Sequence, residues 1–350
     1  MPLPSILEHT AASLRQQFAS TGIEGYRAKQ VLHWVFERRV AGFDAMTNLN
    51  RPLRRRLADE WAFHCLSLDE LHRSEDGTQK LVLKTEGGQR IESVIIPEEE
   101  RRTLCVSTQI GCSLDCSFCA TGRMKLARNL RPGVIVDQLV HANQILAPRD
   151  ERITHVVYMG MGEPLLNLSH VIQSIRVLSD PEAGGLSSRR ITVSTAGVVP
   201  KLAELSAAVS TRLAISLHAT TDAVRDELVP LNRRFPIPRR DRISFEYTLI
   251  RGVNDSVEDA RRLVRLLHGI RAKINLIPLN EHPASPYRRP EAQRIERFAA
   301  ELARTRSPVS VRRSRGDDVY AACGQLAGLS PQFPAQRIEE QAQVILPSSR

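Results

Sequence analysis

Residues 4–62 carry apolar positions at helical spacing. Ala28, Val31, Leu32, Val35 and Phe36 fall on one face, and Leu53, Leu57 and Trp61 repeat the pattern. Met46–Leu49, lying between them, reads as a turn with a capping residue. The period then changes. Lys80–Lys84 and Arg90–Ile96 are strand-like runs punctuated by Gly77 and Gly87-Gly88. From about residue 103, apolar runs alternate with amphipathic stretches. Strands are predicted at Thr103–Thr108, Ile153–Met159, Arg190–Ser194, Arg212–Leu217, Ser244–Ile250 and Ala272–Ile277, with helices such as Val134–Leu146 and Val257–Leu267 between them. Six such units predict an α/β fold with a parallel, barrel-like sheet, two units short of a closed eightfold barrel and so open or partial. Val309–Arg313 is a candidate edge strand. The expected division is a helical region at 1–64, a β-rich connector at 65–102, the main α/β unit at 103–329 and a Pro- and Gln-rich tail at 330–350, a composition compatible with disorder.

Composition sharpens this picture in two places. Met1–Thr10 has no basic stretch leading into an apolar run, and no segment approaches the apolar length of a membrane span, so no membrane association and a cytoplasmic location are expected. The net charge is +10, and of 49 basic residues only six are Lys. A guanidinium-rich surface suits phosphate oxygens, which makes nucleic acid a candidate partner.

The chain has six cysteines, at positions 65, 105, 112, 116, 119 and 323. Their clustering points to metal or redox chemistry rather than a disulfide framework. Cys112, Cys116 and Cys119 form a C-x3-C-x2-C set directly after the first strand of the βα series, at the end where parallel barrels carry their chemistry. Three thiolates can hold three irons of a 4Fe–4S cube and leave the fourth open for a small molecule. Structural zinc is the alternative, but it usually takes four ligands from two spaced pairs, and no second pair is present. Cys65 and Cys323 are too isolated in sequence to assign as a fourth ligand. Phe118 is a candidate shield for the cluster or a core residue. Ends of later strands supply further polar groups: Gly162-Glu163, Ser194, Ser216-Leu217-His218 and Asn280. Each alone reads as a cap or a satisfied core group, but their recurrence suggests a shared pocket.

The C-x3-C-x2-C set resembles the signature of the radical S-adenosylmethionine (SAM) superfamily, and Met159–Pro164 resembles its GEP loop. More narrowly, the chain resembles the RlmN-type ribosomal and transfer RNA adenine C2-methyltransferases, relatives of the Cfr C8-methyltransferases. The resemblance rests on Gly162–Asn167 (GEPLLN), Leu213–Ala219 (LAISLHA), Asn275–Asn280 (NLIPLN) and the GDD…ACGQL block ending at Leu326. It implies a partial (βα)6 barrel with a small N-terminal helical domain, a 4Fe–4S cluster held by Cys112, Cys116 and Cys119, and two SAM molecules per turnover. Gly162, Glu163, Ser194, Ser216, Leu217, His218 and Asn280 would bind SAM, with Glu163 pairing with its ammonium group. Cys323 would carry a methyl group taken from one SAM, and a radical made from the second would activate it toward adenine C2. Cys105 would then resolve the covalent RNA adduct through a transient disulfide with Cys323.

The same resemblance makes Glu92 the base that removes the C2 proton, although relatives also admit Cys105 in that role. On sequence alone a strand carboxylate is more often solvent-facing, and Cys105 and Cys323 taken singly read as core and helix-interior thiols. The implied substrates are 23S ribosomal RNA and transfer RNA. A reducing partner such as flavodoxin or ferredoxin is implied as well, and a monomer is the default. Arg51, Arg54, Arg55 and Arg56 form either an RNA-docking surface or a solvated helix face. C8 methylation and a non-catalytic, zinc-containing RNA-binding protein are the competing readings.

Overall fold

The computed structural model describes residues 3–229, 243–270, 272–283, 285–304 and 307–327. The expectation for the tail at 330–350 lies outside these residues. Three helices open the chain: α1 (Ala11–Ser20), α2 (Arg27–Phe36) and α3 (Arg51–Glu60). Thr10 caps α1 through the Ser13 amide at 3.3 Å, and Asn50 caps α3 through the Leu53 amide at 2.9 Å. The capping residue is therefore Asn50 rather than a member of Met46–Leu49, because the chain completes a 3-10 turn at Phe43–Ala45 before α3 begins.

A hairpin-rich segment follows, with β1 (Leu66–Arg73), β2 (Gln79–Thr85), β3 (Arg90–Glu98) and β4 (Arg101–Cys105) pairing antiparallel in sequence order. The run Leu66–Arg73 escaped the sequence reading because its exposed and buried positions do not alternate cleanly. A short pair, β5 (Gln109–Ile110) and β6 (Arg128–Asn129), brackets the cysteine loop. Then come α4 (Pro132–Leu146), β7 (His155–Tyr158), α5 (Leu168–Ser179), β8 (Ile191–Thr195), α6 (Val199–Ala208), β9 (Arg212–Ser216) and α7 (Asp222–Leu228). The last elements are β10 (Ile243–Leu249), α8 (Val257–Leu266), β11 (Ala272–Pro278), α9 (Ala292–Leu302) and β12 (Val309–Val311).

All strands except β5 and β6 form one ten-stranded sheet in the order β1-β2-β3-β4-β7-β8-β9-β10-β11-β12. From β4 onward every pairing is parallel, and β1 and β12 are its edges. The expected open α/β arrangement holds, extended by the candidate edge strand and by β1–β3, which continue the sheet through antiparallel pairing. None of the described helices is long and apolar enough to cross a membrane.

One apolar cluster joins Leu14, Phe18, Val31, Leu57 and Trp61 of the N-terminal helices to Ile135, Leu139, Val171 and Ile175 of α4 and α5. A polar clasp reinforces that seam. Asp137 on α4 is fully buried and accepts from the Cys65 amide at 2.7 Å, the Leu66 amide at 2.9 Å and His64 Nδ1 at 2.7 Å. His141, one turn on, faces the Leu66 carbonyl with Nε2 at 3.1 Å and stacks on His64 with ring centres 4.4 Å apart. The clasp fixes the helical region against the first half of the sheet.

Candidate active site

The C-terminal ends of the parallel strands open into one cavity. Its lining includes Cys112, Cys116 and Cys119 with Phe118, then Gly162 and Glu163, Ser194, Ser216, His218, Glu246, Asn280, Arg312 and Cys323. The topology brings them together: the residues after Cys119 lie on or just beyond strands β7 to β11, or in the segment after β12.

Gln109, fully buried, ties the cysteine loop to the Gly162-Glu163 loop. Its Oε1 accepts from the Glu163 amide at 2.9 Å, and its Nε2 donates to Ser113 Oγ and Asn129 Oδ1, each at 2.8 Å. Gly162 sits at φ +97°, and a Cβ there would lie 2.5 Å from Gln109 Cβ, so the close approach of the two loops requires glycine. Glu163 is 3% exposed; Oε1 accepts from the Leu165 amide at 3.0 Å and Oε2 from the Ala196 amide at 2.8 Å. Burial pushes its carboxyl above the usual range, against those hydrogen bonds.

His218 is buried with its backbone at φ +58°. Its Nδ1 accepts from the Thr248 amide at 3.0 Å, and its ring meets Phe118 edge-on at 5.0 Å. Burial drives its pKa down to about 3, so it is a neutral acceptor at physiological pH. Ser194 and Ser216 face each other at 3.5 Å. Asn280 donates to the Cys323 carbonyl at 3.0 Å and accepts from Ser314 Oγ at 2.5 Å. Leu217 differs from its neighbours in the expected set, because its side chain packs into the core beside Ile215 and Phe245 and only its backbone is near the site.

Cys323 is exposed to the cavity, and Cys105 is buried. Desolvation by the surrounding cavity wall pushes the Cys323 thiol up, and the neighbouring Arg312, which hydrogen-bonds it, opposes that shift. Burial likewise pushes Cys105 up, and the charge of nearby Cys323 adds to the effect. The helix-interior reading of Cys323 is corrected: it follows a short 3-10 turn at Asp317–Val319 and lies in a loop. That loop is tied down on several sides. Ser74 Oγ donates to Asp318 at 2.5 Å, the Gly316 amide to Asp76 at 3.1 Å and the Ala120 amide to the Gly324 carbonyl at 2.7 Å.

Glu92 departs from the solvent-facing expectation. It is fully buried, pairs with Lys80 Nζ at 3.3 Å and accepts from the Ala327 amide at 3.0 Å. It lies outside the residues lining the cavity. Sequence reasoning missed Arg225, Glu246 and Arg312. Arg225, nearly buried, donates to the carbonyls of Ser216, Leu217 and Ala196 and so stitches two strand ends together. A lone carboxylate in the apolar run Ile243–Leu249 was the available signal for Glu246, since burying it without a purpose is costly.

The donor set fits an iron–sulfur cube. Leu114, Phe118, Ala196, Val229 and Leu279 pack around the three cysteines and give them an apolar wall. Burial pushes all three thiols up, Cys112 to about 11, and a bound cation would act in the opposite direction. Gly122 lets the loop close: a Cβ would lie 2.6 Å from the Cys116 carbonyl oxygen. A single zinc would draw thiolates to about 3.8 Å from one another, given tetrahedral Zn–S bonds of about 2.3 Å. Among the described residues, the group of three ligand atoms lying within 4.8 Å of one another is His64–Asp137–His141, not the cysteine sulfurs. The three cysteine sulfurs are thus not drawn together to within 4.8 Å of one another.

Residues 5–62 match the ribosomal RNA large subunit methyltransferase N-terminal domain, and residues 106–267 match the radical SAM superfamily. A dual-specificity RNA methyltransferase RlmN from Geotalea uraniireducens is 43% identical over 335 residues, 92% of this chain and 96% of that protein. This chain belongs to the RlmN family. The RlmN of Syntrophotalea carbinolica is 46% identical over 345 residues, 94% of this chain and 91% of that one. The crystal structure of a radical SAM methyltransferase from Sphaerobacter thermophilus superposes with a TM-score of 0.90 at 42% identity, covering 94% of this chain and all of that one. As an RlmN-family protein, the chain is a SAM-dependent radical methyltransferase that uses a 4Fe–4S cluster.

Proposed function

We propose that this protein methylates C2 of adenine in 23S ribosomal RNA and in transfer RNA, with Cys323 as the methyl carrier. One observation carries the reading. Cys323 opens onto the cavity lined by Cys112, Cys116 and Cys119, and Cys105 lies within its electrostatic reach.

In this reading Cys112, Cys116 and Cys119 hold the cluster. Glu163 receives the SAM ammonium group, while Gly162, Ser194, Ser216, His218 and Asn280, with the Leu217 backbone, line the rest of the SAM site. The Cys323 thiolate first attacks the SAM methyl carbon. A C–S bond forms, the sulfonium C–S bond breaks onto sulfur, and S-adenosylhomocysteine leaves. When bound, the cluster supplies the electron that cleaves a second SAM to a 5′-deoxyadenosyl radical, and it can take one electron back from the RNA adduct. Hydrogen abstraction from the Cys323 S-methyl group gives 5′-deoxyadenosine and a methylene radical on Cys323, which adds to C2 of an unstacked adenine. After loss of one electron, the C2 proton passes to a base, Glu92 or Cys105, and its bonding pair restores the ring. The Cys105 thiolate then attacks the Cys323 sulfur. The S–S bond forms, the S–CH2 bond breaks, and the methylene carbon takes a proton to become the product methyl.

The helical region at 1–64 is the RNA-docking part of this proposal, with 65–102 as connector and 103–329 as the catalytic unit. Arg51 and Arg55 are exposed on α3, whereas Arg56 is turned toward Glu60 at 2.9 Å. A flavodoxin or ferredoxin donor, a monomeric state and a cytoplasmic location complete the reading. The test is Cys105→Ala in the reconstituted enzyme with SAM and RNA. A protein–RNA crosslink through Cys323 and 2-methyladenosine from the unaltered enzyme are expected. Clean turnover by the variant, or 8-methyladenosine as product, would sink the reading.

A further inference from the structure

Lys80 on β2 and Glu92 on β3 are both fully buried, with Nζ 3.3 Å from Oε1. In the β2–β3 register Glu92 stands opposite Val82, so Lys80 is its diagonal neighbour on the same face of the sheet. Burying an ammonium and a carboxylate costs several kcal/mol per ion, and an apolar pair would often serve a purely structural purpose as well or better. The rest of Glu92 faces the working part of the enzyme. Its Oε2 accepts from the Ala327 amide at 3.0 Å, four residues beyond Cys323. Its own carbonyl accepts from Ser107 Oγ at 2.6 Å, two residues beyond Cys105. Glu92 thus ties to both segments that carry the thiols, through its backbone on the Cys105 side and its carboxylate on the Cys323 side, with Lys80 behind the carboxylate.

We propose that Lys80 is a positioning residue: it holds the Glu92 carboxylate in place and aimed at the Cys323 segment, where Glu92 takes the C2 proton of the methylene-bridged adenine. This rests on the methyl-carrier reading above and chooses Glu92 over Cys105 as the base. In the step itself the C2–H bond breaks, its proton passes to a Glu92 oxygen and its electron pair returns to the ring. The Ala327 amide occupies Oε2 while the Cys323 loop is docked, so the loop must lift for the carboxylate to act.

The experiment compares Lys80→Met, Lys80→Arg and Glu92→Gln as reconstituted holoenzymes with SAM and RNA. Two readouts separate the halves of the reaction: the mass of Cys323 after exposure to SAM, and the covalent protein–RNA adduct on denaturing gels. Lys80→Met is expected to methylate Cys323 to the same extent as the unaltered enzyme. It should also accumulate the adduct and form 2-methyladenosine about a hundredfold more slowly, the usual contribution of a general base. Lys80→Arg, which retains the cation, should recover most of that rate. Product formation by Lys80→Met at the unaltered rate without adduct would overturn the proposal, as would equal failure of Lys80→Met and Lys80→Arg at both steps. If Lys80→Met does not fold, the Lys80→Met/Glu92→Gln double variant decides the matter. Adduct accumulation equal to that of Glu92→Gln alone supports action through Glu92, and a further loss overturns it. Absence of methyl on Cys323 of the unaltered enzyme would instead bring down the carrier reading itself.

Discussion

His218 gives a prediction whose size follows directly from its surroundings. Burial lowers its pKa from 6.5 to about 3, while in the unfolded chain it titrates normally. Between those values the unfolded chain binds a proton that the folded protein does not, so stability is complete above the unfolded pKa and falls as pH drops through it. At pH 5 this single site removes about 2 kcal/mol relative to pH 8. Because pH 5 lies well above the folded value, that figure is set by the unfolded pKa alone. Asn is the replacement of choice. It tolerates the φ of +58°, and its side-chain oxygen can accept from the Thr248 amide in place of Nδ1. Urea unfolding of the metal-free protein at pH 8 and pH 5 should show the His218→Asn variant losing about 2 kcal/mol less than the unaltered protein. His9, His141 and His155, whose pKa values are also lowered, are present in both proteins and cancel in the comparison. An equal loss in the two proteins would refute the reasoning.

Two further outcomes are expected. Gly122→Ala places a methyl against the Cys116 carbonyl, a strain of about 1–3 kcal/mol confined to the cysteine loop. Iron and sulfide content after reconstitution should fall while the circular dichroism of the fold is kept, and full iron loading would contradict the tight-loop account. Asp137→Ala strips the Cys65 and Leu66 amides and His64 of their acceptor, a loss of about 3 kcal/mol or more. Limited proteolysis should then cut first near residues 60–66, and unaltered resistance would show that the apolar seam alone holds the helical region.

The parallel strands were legible because each is a buried run bounded by turn residues, and Cys112, Cys116 and Cys119 announced themselves by spacing. What could not be read was anything depending on contact across distant segments. Glu92 looked solvent-facing because Lys80, its partner, sits twelve positions away on the neighbouring strand. Arg312 and Glu246 join the site only through the packing of β10, β11 and the segment after β12. Leu217, carried along with Ser216 and His218, packs on the same side as Ile215 because successive side chains alternate faces as the chain leaves β9. Asn50 was overlooked as a cap because the short 3-10 turn before α3 moved the helix start beyond the expected turn.

Cys323 lies in the open part of the cavity, whereas Cys105 is sealed in the sheet. In the proposed cycle this difference bears on how the enzyme survives between turnovers. A bare carrier thiol is within reach of water-borne oxidants and alkylating agents, and its partner is not. Once methylated, the same sulfur is a thioether, which can neither form a disulfide nor be alkylated at neutral pH under mild conditions. Loading the methyl group therefore shields the atom that carries it. An enzyme resting in the loaded state would outlast one resting empty, and prior incubation with SAM should slow its inactivation by iodoacetamide.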